Sequence, residues 1–170
     1  LNGHVETITL LHEIGVELNM QDKQGDTPTH EAARKGHVHA NITIRELGAK
    51  LELQNKRGET PLHQAAESDK LKTVEEIIDA DVKLDTQNNE GETALYLAVK
   101  RGNTSVVAAL LRAGANRHLS DKEGCTPLAW LKKALAILED NPDKDAANTR
   151  IAVFKAIQHL LQPVNSEKSI

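Results

Sequence analysis

An all-α solenoid of stacked helix pairs is the fold class this sequence predicts, and three observations predict it. The first is a repeat: "GDTPTHEAARKGH" from Gly25, "GETPLHQAAESDK" from Gly58, "GETALYLAVKRGN" from Gly91 and "GCTPLAWLKKALA" from Gly124 align without gaps, each 33 residues after the last. A fixed period of this length marks a repeat architecture and decides the fold before any local reading does. The second is helix punctuation at constant offsets within that period. The third is the scarcity of aromatic residues: with only Tyr96, Trp130 and Phe154, the core must be built from Leu, Ile, Val and Ala, which favours close helix packing.

The elements follow in chain order. Gly3-His4 lies 33 residues before Gly36-His37, and Gly15 lies 33 before Gly48. Residues 1–21 therefore read as a partial repeat whose first helix is missing, so the chain is expected to be a fragment of something longer. Three regular units occupy 22–54, 55–87 and 88–120. In each, a turn glycine precedes Thr27, Thr60 or Thr93, and Thr126 recurs in the fourth copy. These threonines are placed to cap helix N-termini, and the proline after three of them suits a first turn in which no N–H donor is needed.

A short helix follows each threonine. Gly36 and Gly102 supply the left-handed backbone at its end, and a second helix runs through stretches such as "TSVVAALLRAG" until a stop at Gly114. Residues 121–163 form a capping repeat, with "LEDNPDKDAANTR" interrupting it. "IAVFKAIQHLLQP" reads as a longer closing helix, apolar at Ile151, Phe154, Ile157, Leu160 and Leu161 and ended by Pro163. Residues 164–170 are left as a tail. A pair of short helices cannot bury enough surface alone, so the units must stack and share apolar faces.

The "TPLH" with its following "AA" at Thr60 to Ala66, and the "LLRAGA" at Leu110 to Ala115, resemble the core motifs of the ankyrin repeat family. The resemblance covers about residues 1–138, and it is specific because motif and period agree over several copies. It implies an L-shaped repeat with β-hairpin or turn fingers, one partial plus four further repeats, and a single domain over 1–163. It also implies that His30 and His63 hydrogen-bond backbone between neighbouring repeats.

Several positions depart from the family pattern. Thr29 stands where leucine is usual, Tyr96 and Ala129 where histidine is, and Asp69 and Asp81 where glycine is. Aspartate tolerates the left-handed region better than most residues, so those turns are expected to survive. Asn41 and Arg45 occupy positions where stacked repeats bury aliphatic side chains. The expectation is a shifted or frayed helix whose polar groups reach solvent, since unpaired burial would cost about 1 to 3 kcal/mol each. The alternative is a polar binding patch on the outer helices.

The stretch "THEAARKGHVH" opens like a zinc protease signature, but a metal site there fails on spacing. The residue four after His30 is Arg34, a cation, and His37 and His39 point about 200° apart on a helix. The period settles the matter: one repeat later His63 keeps the histidine while Gln64 replaces Glu31. His4 and His37 share the slot after a turn glycine and take a helix-start role, while His12, His39, His118 and His159 are scattered. Cys125 reads as an exposed turn cysteine beside Glu123, a carboxylate that raises rather than lowers a thiol pKa. No phosphate loop appears, and neither catalytic residue, metal nor cofactor is predicted.

Composition excludes other classes. A net charge of −4 and the lack of stacking aromatics argue against nucleic-acid binding, and no apolar run approaches a membrane span. The single cysteine fits a reducing compartment, so a cytoplasmic location is expected, or a host-cell cytosol or nucleus for an effector.

Function in a solenoid comes from an extended surface built by equivalent positions. By resemblance, these are the finger residues and the exposed ends of the first helices. Among them Lys23, Arg34, Lys35, Lys56, Arg57, Lys100 and Arg101 are cationic, and Asp26, Glu59, Glu67, Glu90 and Glu92 are anionic. The bland reading is an ordinary solvated surface. The sharper one is a basic stripe of Arg34, Lys35, Lys56, Arg57, Lys100 and Arg101 that recognises an acidic or phosphorylated protein segment. Trp130 is expected to pack against the closing helix, with a role as an aromatic anchor as the alternative. The function predicted is a non-catalytic, monomeric protein-interaction module using its concave finger and inner-helix surface. The alternative is the targeting or regulatory part of a larger multidomain enzyme, such as a bacterial effector acting in a host cell.

Overall fold

The computed structural model describes residues 2–140 and 144–162, and among these there are nine helices and no strand. They are α1 (Asn2–Glu13), α2 (Pro28–Lys35), α3 (Val38–Glu46), α4 (Pro61–Glu67), α5 (Leu71–Asp79), α6 (Ala94–Arg101), α7 (Thr104–Arg112), α8 (Pro127–Glu139) and α9 (Lys144–Leu161). Two parallel stacks result. The first helices α2, α4, α6 and α8 pack in sequence on one another, and α1, α3, α5, α7 and α9 do the same behind them. Pro163 as the stop of the closing helix, and the tail over 164–170, lie outside the described residues.

Each first helix starts as the sequence demands. Thr27, Thr60, Thr93 and Thr126 all hold extended backbone before their helices, and Thr93 Oγ1 accepts from the Tyr96 N–H at 3.2 Å. Helix ends follow the left-handed rule as well. Gly36 and Gly102 cap α2 and α6 at φ 75° and 82°. Asp69 and Asp81, in glycine slots, adopt φ 56° and 55°, so the turns do survive in aspartate's hands.

The fingers are tight turns linked by single backbone bonds, and among the described residues they form no strand. Within them Gly25, Gly58 and Gly124 donate to the carbonyls of Asp22, Asn55 and Asp121. Between them Lys56 N donates to Gln24 O, Asn89 N to Arg57 O and Lys122 N to Glu90 O, at 2.9 to 3.0 Å. Gly58 is held twice over: its φ is 73°, and an added Cβ would lie 2.7 Å from the Asn89 nitrogen, so any side chain would push the fingers apart.

The apolar core is divided. A large cluster runs from Ala33 through Leu62, Ile77, Leu95 and Leu110 to Phe154 and Leu161. A smaller one gathers Leu18, Ala32, Ile44 and Ala49 at the other end. Between them lies a polar joint, and here the expectation of a frayed helix is wrong. Asn41 is fully buried, donating from Nδ2 to Glu76 Oε2 at 2.7 Å, while Arg45 Nε lies 3.0 Å from the other oxygen of the same carboxylate. The pairing partner sits on the neighbouring helix α5, which removes the need to reach solvent.

The chain's end also differs from its reading. Residues 144–150, read as part of an interruption, form the first turns of α9, and α8 extends to Glu139. Phe154, Ile157 and Leu161 are buried as expected, but Leu160 is exposed. Trp130 packs edge-on against Phe154, ring centroids 5.9 Å apart, so the expected contact with the closing helix forms.

Candidate functional site

The histidines resolve first. Nδ1 of His30 accepts from the Thr27 N–H at 3.1 Å, and Nε2 donates to the Glu59 carbonyl at 2.9 Å. His63 repeats the arrangement with the Thr60 N–H and the Glu92 carbonyl at 3.1 and 3.2 Å. Because one nitrogen must accept and the other donate, the ring is held neutral. Burial works in the same direction: it lowers the pKa of both rings, that of His63 to about 4. Both bonds reach from one repeat to the next finger, as the family resemblance implies.

Tyr96, in the third histidine slot, does the same job differently. Its hydroxyl donates to Asp121 Oδ2 at 2.6 Å, and burial followed by that carboxylate pushes its own pKa up. Burial opposes charge on Asp121, but the Tyr96 hydroxyl and the amides of Cys125 and Glu123 outweigh it and hold the carboxyl low. Thr29, in a leucine slot, is buried and bonds the Thr27 hydroxyl at 2.6 Å. Cys125 is buried at 7% exposure, contrary to the expected exposed thiol. The Asp121 side chain accepts from its amide and folds the turn over it.

A periodic scaffold escaped the sequence reading. Asp22, Asn55, Asn88 and Asp121, spaced by the same period, each accept two finger amides on Oδ1, as Asn55 does from Arg57 and Glu59 at 2.9 and 3.0 Å. Gln21, Gln54 and Gln87 each bridge from their own finger to the carbonyl one period on. These bonds set the finger spacing, and with it the spacing of the charges that the fingers carry on the face they share with the first helices.

That face carries a groove of about 550 Å³. Of the twelve sequence-predicted site residues it brings together eight: Lys56, Arg57, Glu59, Glu67, Glu90, Glu92, Lys100 and Arg101. Lys23, Asp26, Arg34 and Lys35 do not line it. Asn88, Asn89, Leu97, Trp130 and Arg150 do, and of these Arg150 belongs to α9, outside the repeating pattern.

The charges are arranged unlike an open basic stripe. Arg34 and Lys35 both pair with Glu31, at 2.7 and 2.9 Å. Arg57 pairs with Glu59 at 2.7 Å, Lys100 with Glu92 at 2.6 Å, and Arg101 with Glu67 of the previous repeat. Glu59 and Glu92, expected on the surface, are buried at 4% and 8%, because each follows the finger turn where the chain dives into the stack. Burial raises the pKa of Glu59, against the pull of Arg57. Asp26 is taken up by Asn55 Nδ2 at 2.7 Å. Among the described residues, Lys56 is the one stripe cation without a carboxylate partner.

Among the described residues no cluster of His, Cys, Asp or Glu is placed to hold a metal ion, and no helix is long and apolar enough to cross a membrane. No curated protein matches the chain. A family model described as "Ankyrin repeats (3 copies)" matches residues 1–88 and 69–135. With two matches spanning most of the sequence, and stacked helix pairs, finger turns and inter-repeat histidines in place, the chain belongs to the ankyrin repeat family.

Proposed function

We propose that this chain is a non-catalytic recognition module that takes up a segment of a partner protein along its concave groove. Ankyrin repeats in general are protein-interaction modules. The observation that carries the reading here is the groove itself, in which fingers, first helices and the closing helix present charged, amide and aromatic groups around one depression. The fingers that shape it are fixed by the amide and glutamine bonds described above, so little ordering cost falls on the groove when a partner binds. Acidic partner segments suit its free cations, which would act mainly on association rate and specificity.

A photo-crosslinking residue at Asn89, on the groove, tests this against one at Lys72, on the exposed side of α5. The reading expects discrete protein adducts in cell extract from position 89 and none from position 72. Adducts from position 72 alone would place recognition on the outer helices instead.

A further inference from the structure

Within that groove, and resting on the reading just given, the structure separates cations that are committed from cations that are free. Arg57 and Lys100 neutralise Glu59 and Glu92, both buried. Drawing either cation to an incoming anion would strand a buried carboxylate, which is the costly way to break such a pair. Arg101 is tied to Glu67. Among the described residues lining the groove, only Lys56 and Arg150 are cations without a carboxylate partner. The sequence places Lys56 on a finger and Arg150 on α9, so they approach the groove from different elements.

Arg150 is exposed and stands over the Phe154 ring, its guanidinium carbon 5.4 Å from the centroid. Phe154 in turn supports Trp130 edge-on, and Trp130 is half-buried and lines the groove. The guanidinium is thereby held beside an aromatic surface while its N–H fork meets no acceptor among the described residues, an arrangement suited to a carboxylate or phosphate next to an apolar side chain. Glu90, exposed and unpaired among the described residues, is the one free acid in the groove, and it disfavours a second anion beside it.

We propose that Arg150 and Trp130 form the specificity pocket of the groove, receiving one anionic side chain and an adjacent apolar side chain of an extended partner segment, with Lys56 as a secondary, longer-range attraction. The basic character of the site then comes from the closing helix and one finger, and the paired cations serve the scaffold.

Trp130 is the only tryptophan, so its fluorescence reads occupancy at the proposed place. The probes are blocked hexapeptides alternating leucine with glutamate, phosphoserine, glutamine or lysine, titrated to about 1 mM, the weak end of specific affinity. The glutamate peptide, the phosphoserine peptide or both are expected to shift Trp130 emission saturably, and which of them does so identifies the source of the anion. Arg150→Gln should weaken that binding roughly fivefold to tenfold, and Arg150→Lys should restore part of it. Arg101→Gln should leave it within about twofold, because its charge is already engaged.

Equal weakening by Arg101→Gln and Arg150→Gln would overturn the division into free and committed cations. So would equal binding of the glutamine peptide, or binding of none. Crosslinks from position 89 in those cases would leave the groove reading standing while this inference falls, and their absence would remove both.

Discussion

The joint between α3 and α5 and the joint between α5 and α7 are built by the same period from different chemistry. At α5 and α7 the equivalent positions carry Val74 with Val107 and Ile77 with Leu110, all fully buried. At α3 the valine position is Asn41, and Arg45 stands where α5 and α7 have Ile78 and Leu111. The geometry of stacking survives the exchange because one carboxylate, Glu76, answers both polar groups. The exchange still leaves a mark: the apolar core splits there, and Asn41 Oδ1 is buried with no hydrogen-bond partner among the described residues. A repeat fold can thus substitute directional bonds for volume at a single joint. The register is then fixed by which acid meets which amide, and cohesion is weaker.

Breaking the apolar joint gives the largest expected effect. Leu110→Ala removes a fully buried side chain from the large cluster and should cost about 2 to 5 kcal/mol, read as a fall in urea midpoint. A loss under about 1 kcal/mol would mean that the aliphatic side of the comparison is no tighter than the polar side.

The inner helices are alike at the joints where histidine is kept, which sharpens the contrast with the outer ones. His30 and His63 each bond the next finger's carbonyl, and each is held neutral. For His63 the folded pKa is about 4 against an ordinary 6.5, so below 6.5 the unfolded chain binds a proton that the folded chain refuses. Stability is therefore lost as pH falls from 6.5 towards 4 and levels off below, by on the order of 3 kcal/mol for this group. His30 adds to the loss in the same direction. The margin of wild type over His63→Gln should be widest at pH 7 and shrink by pH 4.5. A margin that stays constant across that range would show that folding does not shift the titration of His63.

How much of this was legible follows from where each signal lies. Helix caps, turn glycines and the inter-repeat histidines recur at the period, so one alignment exposes them. The aspartate and asparagine at 22, 55, 88 and 121 are equally periodic, but they carry no motif of charge or hydrophobicity, and the finger amides they bind become visible only in three dimensions. The Asn41–Glu76–Arg45 cluster is the opposite case. It departs from the period at both ends, and its partners are 31 and 35 residues apart, so a reading of α3 by itself finds only stranded polar groups. The groove divides in the same way. Eight residues came from finger and helix-end positions, whereas the burial of Glu59 and Glu92 depends on the local path of the chain. Arg150 arrives on α9, the helix outside the repeating pattern, where no repeat-based rule reaches.

Removing the shared acid tests the polar joint directly. Glu76→Ala strands the Asn41 amide in the core while leaving Arg45, whose side chain is 38% exposed, free to turn towards water. The expected loss is about 1 to 3 kcal/mol, dominated by the amide. It should also be local: amide exchange should rise across α1, α2 and α3 while α6 and α7 keep their protection. Uniform acceleration along the whole chain would instead show that the division of the core has no thermodynamic meaning.

The smallest effect is the most informative about why the joint is polar. Asn41→Val with Glu76→Ala writes into α3 and α5 the residues that α7 carries at the same positions, Val107 and Ala109. No buried charge is left behind, since the acid is gone and Arg45 can reach solvent, and a buried amide gives way to an aliphatic group. Exchanges of this kind are often neutral or stabilising by about 1 to 4 kcal/mol, so the double variant should melt at or above the wild-type temperature although Glu76→Ala alone melts below it. The sign of that coupling decides the comparison. If the double variant is as unstable as the single one, the joint's shape does not admit valine, and the polar cluster is the only packing this register allows. If it recovers, the amide and carboxylate hold no stability that aliphatic packing could not, and their contribution is to select the register between two repeats whose apolar faces do not continue into each other.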